Sequence, residues 1–436
     1  MNVDTMRRID YWIGIPICAF LSLFNFRKGK RPEKLEKVLF LKLSEMGSTV
    51  LAYPAMKYVK DKKAEIFFLA FEENKEIIKT LGIVLEENII SIRSKNLLTL
   101  VVDGFKALWR IRREKFDATI DLEFFARVTT IIAFLSGAKA HIGFYKYYAE
   151  GMGRGNFLTH RVNYNHYLHT AQSYFSLAMA LDYEPGEIPM LKKKIPLVEE
   201  LEVPQWNTSE EDKDELLVTL KKDQRLIVMN PNSSALIPFR KWPIERWVGL
   251  CRKLLEDKKN VLIFMGVESD RPDTEEIIEG IQTKYNFERI YNYIGKTTIP
   301  QLLHMFNTCD ILISNDSGPA QFAAMTSIKI VSIFGPETPK LYGPLSKRNI
   351  SVTAGLACTP CISVFNMRRT PCSNNLCLKN ITVEQVYEAY KKHVEAVPPS
   401  DQVKINDFVS TISCGGISVN AKHNLEAIEK ILEEKK

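Results

Sequence analysis

Residues 314–324 read SNDSGPAQFAA. This small, polar, glycine- and proline-bearing run closes a strand-like stretch and opens a helix-like one. Asp316 or Ser317 can cap such a helix, Gly318 lets backbone approach a ligand, and Pro319 suits the first turn. A helix start of this kind exposes N–H groups and the positive end of the dipole, so it suits a diphosphate. A capped helix with no ligand carries the same signature, which makes the neighbouring segments informative. Residues 229–243, MNPNSSALIPFRKWP, place Ser233 and Ser234 in a small polar loop ahead of Arg240 and Lys241. A basic pair there suits phosphate oxygens, or is a solvated surface pair. Glu268 follows the apolar run VLIFMG, where an acid could bind ribose hydroxyls, with Asp270 as the alternative. The next strand-like run also ends in a glycine- and proline-rich turn, FGPETPKLYGP.

Four of the eight cysteines crowd together as Cys358-x2-Cys361 and Cys372-x4-Cys377. One CxxC with two more cysteines close by suits a structural zinc site. Reduced thiols in a packed loop, or two disulfides in an exported chain, are the other readings. His160, His166 and His169 also cluster, with no cysteine or acid at ligand spacing, so packing or contact with an acceptor is expected rather than a metal. The basic and aromatic stretch 143–157 just before them could meet an anionic glycolipid or be a solvated loop.

These residues need a scaffold that brings loops together. From Val38 onward, strand-length apolar runs alternate with helical patterns: VLFLKL, EIFFLA and FDATIDL in the first half, then LIVMNP, VLIFMG, RIYNYIG, CDILISND and KIVSIFG in the second. Such alternation predicts parallel sheets with crossover helices. A polar, proline-containing break lies between the two sets. The expected organisation is an N-terminal segment over 1–34, a first doubly wound domain over 35–200, a linker over 201–224, a second such domain over 225–396, and a tail over 397–436 ending in an amphipathic helix. Ligands in these sheets sit at the carboxyl ends of the strands.

Residues 11–26, YWIGIPICAFLSLFNF, are apolar and uncharged, with Arg7 and Arg8 before them and Arg27, Lys28, Lys30 and Arg31 after them. As one helix the run is about 24 Å long, short of a ~30 Å hydrocarbon core. No small-residue cleavage site follows, which disfavours a signal peptide. A helix that dips into or lies on the membrane keeps both basic flanks on one side, and Pro16 would kink or break a straight span. A spanning helix is the competing reading.

The 436-residue length suggests two to three domains. The 45% hydrophobic and 25% charged composition excludes a disordered or collagen-like chain. The net charge of +7, 59 basic against 52 acidic residues, suits an anionic membrane surface or phosphorylated substrates. No RNA- or DNA-binding motif is present, and nucleic acid is not an expected partner.

Together, residues 42–60 (KLSEMGSTVLAYPAMKYVK), 226–243 and the long stretch 294–344 resemble glycosyltransferase family 9, the ADP-heptose:lipopolysaccharide heptosyltransferases. The resemblance runs over about residues 38–390. It implies an α/β chain of the GT-B type: two Rossmann-like domains facing a central cleft, here preceded by an N-terminal membrane-associating helix. It further implies a nucleotide-sugar donor such as ADP-heptose in the C-terminal half, and a glycolipid acceptor of lipopolysaccharide type in the N-terminal half. Inversion at the anomeric carbon without a catalytic metal, and a peripheral or monotopic place on the cytoplasmic face of the inner membrane, follow from it. Carried over by position, Asp316, Ser317 and Gly318 meet the donor sugar and its phosphates, and Ser233 and Ser234 lie in the phosphate-facing loop. Arg240 stands where the family usually has a lysine, with Lys241 beside it, and Glu268 falls near the ribose-binding acid.

Two departures matter. The family's first loop usually ends in Gly-Asp, its presumed general base, whereas this chain has Gly47-Ser48. A serine hydroxyl is a poor base without help, so Glu45, three residues earlier, is the expected base with Ser48 beside it. The family's histidine is replaced by Gln321, which can donate to phosphate without bringing charge. These departures motivate a second reading, a catalytically degenerate nucleotide-sugar-binding protein. A sugar epimerase of related fold is a third, opposed by the NDSG stretch.

Overall fold

A computed structural model describes residues 3–25, 29–124, 126–145, 153–188, 191–233, 237–282, 287–364, 366 and 369–395. The chain up to Tyr390 forms one compact unit of two lobes. The first lobe is a six-stranded sheet of β1 (Lys37–Leu41), β2 (Glu65–Phe71), β3 (Ile89–Ile92), β4 (Ala118–Asp121), β5 (Ala140–Tyr145) and β6 (His160–Asn163). The second holds β7 (Arg225–Asn230), β8 (Asn260–Phe264), β9 (Ile290–Asn292), β10 (Ile311–Asn315), β11 (Lys329–Phe334) and β12 (Asn349–Thr353). Their orders are β3-β2-β1-β4-β5-β6 and β9-β8-β7-β10-β11-β12, the same permutation twice, with every strand pair parallel. Helices cover both faces, so the strands read as unbroken apolar runs such as VLFL and NVLIF. The alternation seen in the sequence is thus a pair of doubly wound sheets. β3 and β6 are four-residue edge strands, and β5 (AHIGFY) and β12 (NISVT) mix polar residues into the run, so these four lack that signal.

In the first lobe, α3 (Met46–Leu51), α4 (Tyr53–Asp61), α5 (Lys75–Thr80) and α8 (Thr170–Met179) are distinguished from α6 (Leu97–Glu114) and α7 (Arg127–Ser136). Buried residues of α6 and α7, such as Ala107, Ile111 and Ala133, pack on the sheet through Leu39, Leu41, Phe67 and Ile90. The segment 201–224 is less open than a polar linker suggests. Its α9 (Glu215–Lys221) is capped by Asp214, Leu217 is fully buried, and the Trp206 amide donates to the Met325 carbonyl at 2.8 Å. The second lobe adds α10 (Ile244–Leu254), α11 (Arg271–Gln282), α12 (Ile299–Thr308) and α13 (Gly318–Ala323).

The N-terminal apolar run is not one helix. It belongs to α1 (Val3–Trp12) and α2 (Gly14–Ser22), which break at Ile13. Pro16 therefore sits in the first turn of α2, where a missing N–H is tolerated, and does not itself make the break. Gly14 lets α2 approach α7 closely: a β-carbon there would fall 2.9 Å from Arg127 Cβ. Arg127 also pairs with Asp10 at 3.0 Å and lies over the Tyr11 ring. Among the described residues, no helix is long and apolar enough to cross a membrane. The tail 397–436, residues 146–152 of the 143–157 stretch and Ser234 lie outside the described residues.

Candidate functional site

Strand order reverses between β1 and β4 in one lobe and between β7 and β10 in the other. Crevices open at such switch points, beyond the carboxyl ends of the strands. The four loops leaving those ends hold residues 42–48, 122–126, 231–240 and 316–318.

In the first lobe, Glu45 occupies the left-handed region at φ 70°, an uncommon conformation for a residue with a β-carbon. Its Oε2 accepts from Ser48 Oγ at 3.1 Å and from Lys42 Nζ at 3.3 Å. Lys42 is fully buried and also reaches Glu123 at 3.4 Å. Glu123 in turn accepts from the Leu43 amide at 2.9 Å, so the loops after β1 and β4 brace each other. Behind them Asp121 binds the Glu123 amide, the hydroxyls of Thr129 and Thr130, and Arg154. Burial pushes its carboxyl up to about 6, against the pull of Arg154.

In the second lobe, Arg240 points into a buried acidic corner, 3.3 Å from Asp316 and 3.7 Å from Glu337. Asn315 ties this corner together: it donates to the Pro231 carbonyl at 2.6 Å and accepts from the Trp242 amide at 3.2 Å. The Nε of Arg240, the Oδ1 of Asn232 and the Oε1 of Gln321 are buried with no hydrogen-bond partner among the described residues. Leaving such a group unpaired costs about 1–3 kcal/mol. Asn232 and Arg240 follow β7 and Gln321 lies in α13, which follows β10, where a polar ligand would satisfy them.

The halves meet through glycine. A β-carbon on Gly47 would lie 3.1 Å from Gly318 Cα and 3.1 Å from Gln321 Cγ, so α3 and α13 touch with no room for a side chain. A second clip comes from His169, the N-cap of α8. Its Nε2 donates to the Gly343 carbonyl at 3.0 Å and its Nδ1 accepts from the Ala171 amide at 3.2 Å. Burial holds its pKa down to about 4.

The structure thus brings together Glu45, Ser48, Arg240, Asp316, Gly318 and Gln321. It turns others aside. Ser317 stands at the start of α13, but its hydroxyl accepts from Asn230 at 2.8 Å and makes no cap, because it is pulled under the strand ends. Gln321 donates to the Tyr342 carbonyl at 2.7 Å, which holds its amide nitrogen within the second lobe. Lys241 is drawn to Asp273 on α11 at 2.6 Å, away from Asp316. Ser233 turns its hydroxyl to the Ile237 carbonyl at 3.5 Å. Glu268 is exposed and bidentate with Arg271, whose hydrogen bonds lower its pKa. Asp270 is the better-placed acid: a β-carbon on Gly266 would meet both it and Asn232 within 3.0 Å, and burial raises its pKa. His160 is a packed residue, bonded to Thr159 and the Tyr183 carbonyl. Glu337, Asn232, Lys42 and Glu123 were not singled out by sequence reasoning. Their shared signal is a polar residue just beyond an apolar strand.

Cys358, Cys361, Cys372 and Cys377 are all free thiols. Burial, then the neighbouring Cys361, Cys358 and Cys372, pushes the Cys377 thiol up to about 11. Cys377 donates to Asn375 Oδ1 and Cys372 to the Asn374 carbonyl. Among the described residues no three His, Cys, Asp or Glu side chains are arranged to hold a metal ion.

Residues 105–369 match the model of glycosyltransferase family 9 (heptosyltransferase), more than half of the chain. The chain belongs to glycosyltransferase family 9. This family 9 chain is 29% identical over 174 residues to lipooligosaccharide heptosyltransferase 2 of Campylobacter jejuni, covering 40% of the chain and 52% of that protein. It is 21% identical over 323 residues to lipopolysaccharide heptosyltransferase 1 of Campylobacter coli, covering 72% and 88%. The chain spans about half the length of the first of these relatives. The solved structure of Escherichia coli ADP-heptose lipopolysaccharide heptosyltransferase II superposes with a TM-score of 0.61 at 18% identity, over 82% of this chain and 98% of that one. An E. coli heptosyltransferase bound to ADP gives a TM-score of 0.59 at 14% identity, over 82% and 99%. These superpositions establish the GT-B fold of this family 9 chain.

Proposed function

We propose that this protein is an inverting glycosyltransferase that moves heptose from ADP-heptose to a lipopolysaccharide-type glycolipid, working on the cytoplasmic face of the inner membrane. The observation that carries this reading is the apposition of Glu45 and Ser48 to the corner of Arg240, Asp316 and Gly318 across the Gly47–Gly318 contact. A base on one side of a closed cleft and a cation on the other is what glycosyl transfer to a hydroxyl needs. The acceptor oxygen attacks the anomeric carbon and its proton passes to Glu45. The bond from that carbon to the diphosphate oxygen breaks, and the nucleoside diphosphate departs toward Arg240. Fixed donors of this kind are typically worth 10²–10³-fold in rate. Asp270 and Asn232 are the groups offered to the ribose. No catalytic metal is invoked. The similarity to a lipooligosaccharide heptosyltransferase and to an ADP-heptose lipopolysaccharide heptosyltransferase supports the choice of sugar and acceptor class.

The test is thermal unfolding of the purified chain with ADP, UDP, GDP and CMP, followed by turnover with ADP-heptose. A saturating rise with ADP alone, as for a ligand of the folded state only, and release of ADP on addition of a heptose-accepting glycolipid support the proposal. A rise with another nucleotide overturns the donor, and ADP binding without turnover on any such acceptor overturns the activity. The cysteine loop is a separate proposal of a structural zinc, which requires the four thiols to close around the ion. Metal analysis of the purified chain showing no zinc removes it.

A further inference from the structure

Helix α6 carries two apolar faces. One is buried on the sheet through Ala107 and Ile111. The other points away from it: Leu98 is 74% exposed, Phe105 70% and Trp109 66%, with Leu97, Val101 and Val102 also exposed. Their spacing places them on a single stripe of about 140°, opposite the core side. An exposed stripe of this size on a soluble helix marks an interaction surface.

One flank is basic. Lys106 and Arg113 edge the stripe, and the Arg113 guanidinium lies over the Trp109 ring. The two acids of α6 are both engaged, Asp103 by Arg93 and Glu114 by Lys37. On its polar side α6 borders a cavity of about 610 Å³ whose lining includes Arg93, Lys95, Lys106 and Arg110. The neighbouring elements continue the pattern. α7 packs against α6 on one side and against α1 and α2 on the other, and Arg112 ties α6 to α7 through the Leu135 carbonyl at 2.7 Å. The α1–α2 pair exposes Trp12, Phe20, Leu23 and Phe24. Aromatic residues beside arginine and lysine suit the boundary between anionic headgroups and acyl chains.

We infer that α6 is a second membrane-docking element: its Leu98–Phe105–Trp109 stripe enters the headgroup region of an anionic bilayer while the cations beside it engage lipid phosphates. The first lobe would then be held by α6 as well as by α1–α2, which fixes its orientation rather than tethering it at one end. This goes beyond the proposed activity and needs no assumption about the sugar.

The full chain is sedimented with phosphatidylcholine vesicles and with vesicles that also contain phosphatidylglycerol, both free of glycolipid. The expected result is binding to the anionic vesicles that weakens with salt. Phe105→Glu with Trp109→Glu should weaken it by at least about tenfold, and Lys106→Glu with Arg113→Glu should weaken it while flattening the salt dependence. Both variants should unfold at the wild-type temperature and keep the same nucleotide response. Leu98→Gln serves if the double aromatic variant does not fold. Undiminished vesicle binding by the stripe variants overturns the inference. So does a wild-type dimer in solution that the stripe variants convert to monomer, because the stripe would then be the contact with a second copy of the chain.

Discussion

Replacing His169 with phenylalanine and following stability from about pH 7 to about pH 4.5 asks whether this ring works as a neutral clip between the lobes. The ring donates to the Gly343 carbonyl and accepts from the Ala171 amide, so both nitrogens are used only when it is uncharged. Burial holds its folded pKa at about 4 against an ordinary 6.5. The unfolded chain therefore takes up a proton at this position below 6.5, and the folded chain does so only near 4. A depressed folded value contributes stability that is fully present above 6.5 and is lost as pH falls toward 4. At about 1.4 kcal/mol per pH unit, that loss approaches 3 kcal/mol across the window. The phenylalanine variant lacks the titration and both hydrogen bonds, so it should be about 1–3 kcal/mol less stable near neutral pH. The gap between the two proteins should then close on acidification. Asp121, with its carboxyl raised to about 6, titrates in the same range, but it and His160, which burial lowers, are common to both proteins and cancel in the difference. Urea unfolding at each pH gives the two curves. If they run parallel from about pH 7 to about pH 4.5, the ring is not held neutral by folding and the reasoning fails.

Gly47→Val should separate the lobes, since even a β-carbon there lies 3.1 Å from Gly318 Cα. We expect about 1–3 kcal/mol of destabilisation and a fall in turnover of more than tenfold, read from unfolding curves and product release. Glu45→Gln keeps the shape of the side chain, and Lys42 retains Glu123. Turnover should drop about 10²–10⁴-fold with nucleotide affinity unchanged by calorimetry, and normal turnover removes Glu45 as the base. Arg240→Ala leaves Asp316 and Glu337 without their shared cation, which should cost about 3–5 kcal/mol and weaken nucleoside diphosphate binding by about tenfold or more. Arg240→Lys should restore part of both losses. Undiminished nucleotide binding in Arg240→Ala places the phosphates elsewhere.

The long buried strands could be read directly, because a strand covered on both faces is a near-continuous apolar run, as β8 is over Val261–Phe264. Edge strands escape that rule: β3 (IISI) and β6 (HRVN) are too short and too mixed to stand out. The same division runs through the site. Asp316, Gly318 and Arg240 could be placed beyond strand ends because each follows an apolar run, β10 or β7. The direction of each side chain could not. Ser317 looks like a cap by type and position, yet Asn230 on the adjacent strand β7 claims its hydroxyl. Lys241 differs from Arg240 by one position, which in this turn points it at Asp273 rather than Asp316. Glu268 is claimed by Arg271 three residues on, a helical neighbour relation that hides in a search for ribose acids. In each case a partner distant in sequence, or on the next helical turn, decided the outcome.

The doubled strand order gives these details one consequence. Each lobe has its switch point between its two central strands and leaves its polar loops at their carboxyl edge, β1 and β4 in the first and β7 and β10 in the second. The proposed base and the proposed phosphate-binding cation lie in different lobes: Glu45, beside Lys42, in the first, and Arg240, beside Asp316 and Glu337, in the second. The contact that joins them sets Gly47 against Gly318, and a β-carbon on Gly47 would fall 3.1 Å from Gly318 Cα. Closure of the cleft and assembly of the reacting groups are therefore one geometric event. Changes at this contact should lower turnover even when both half-sites keep their own residues. Changes within a half-site should instead divide, those at Arg240 acting on nucleotide affinity and those at Glu45 on the chemical step.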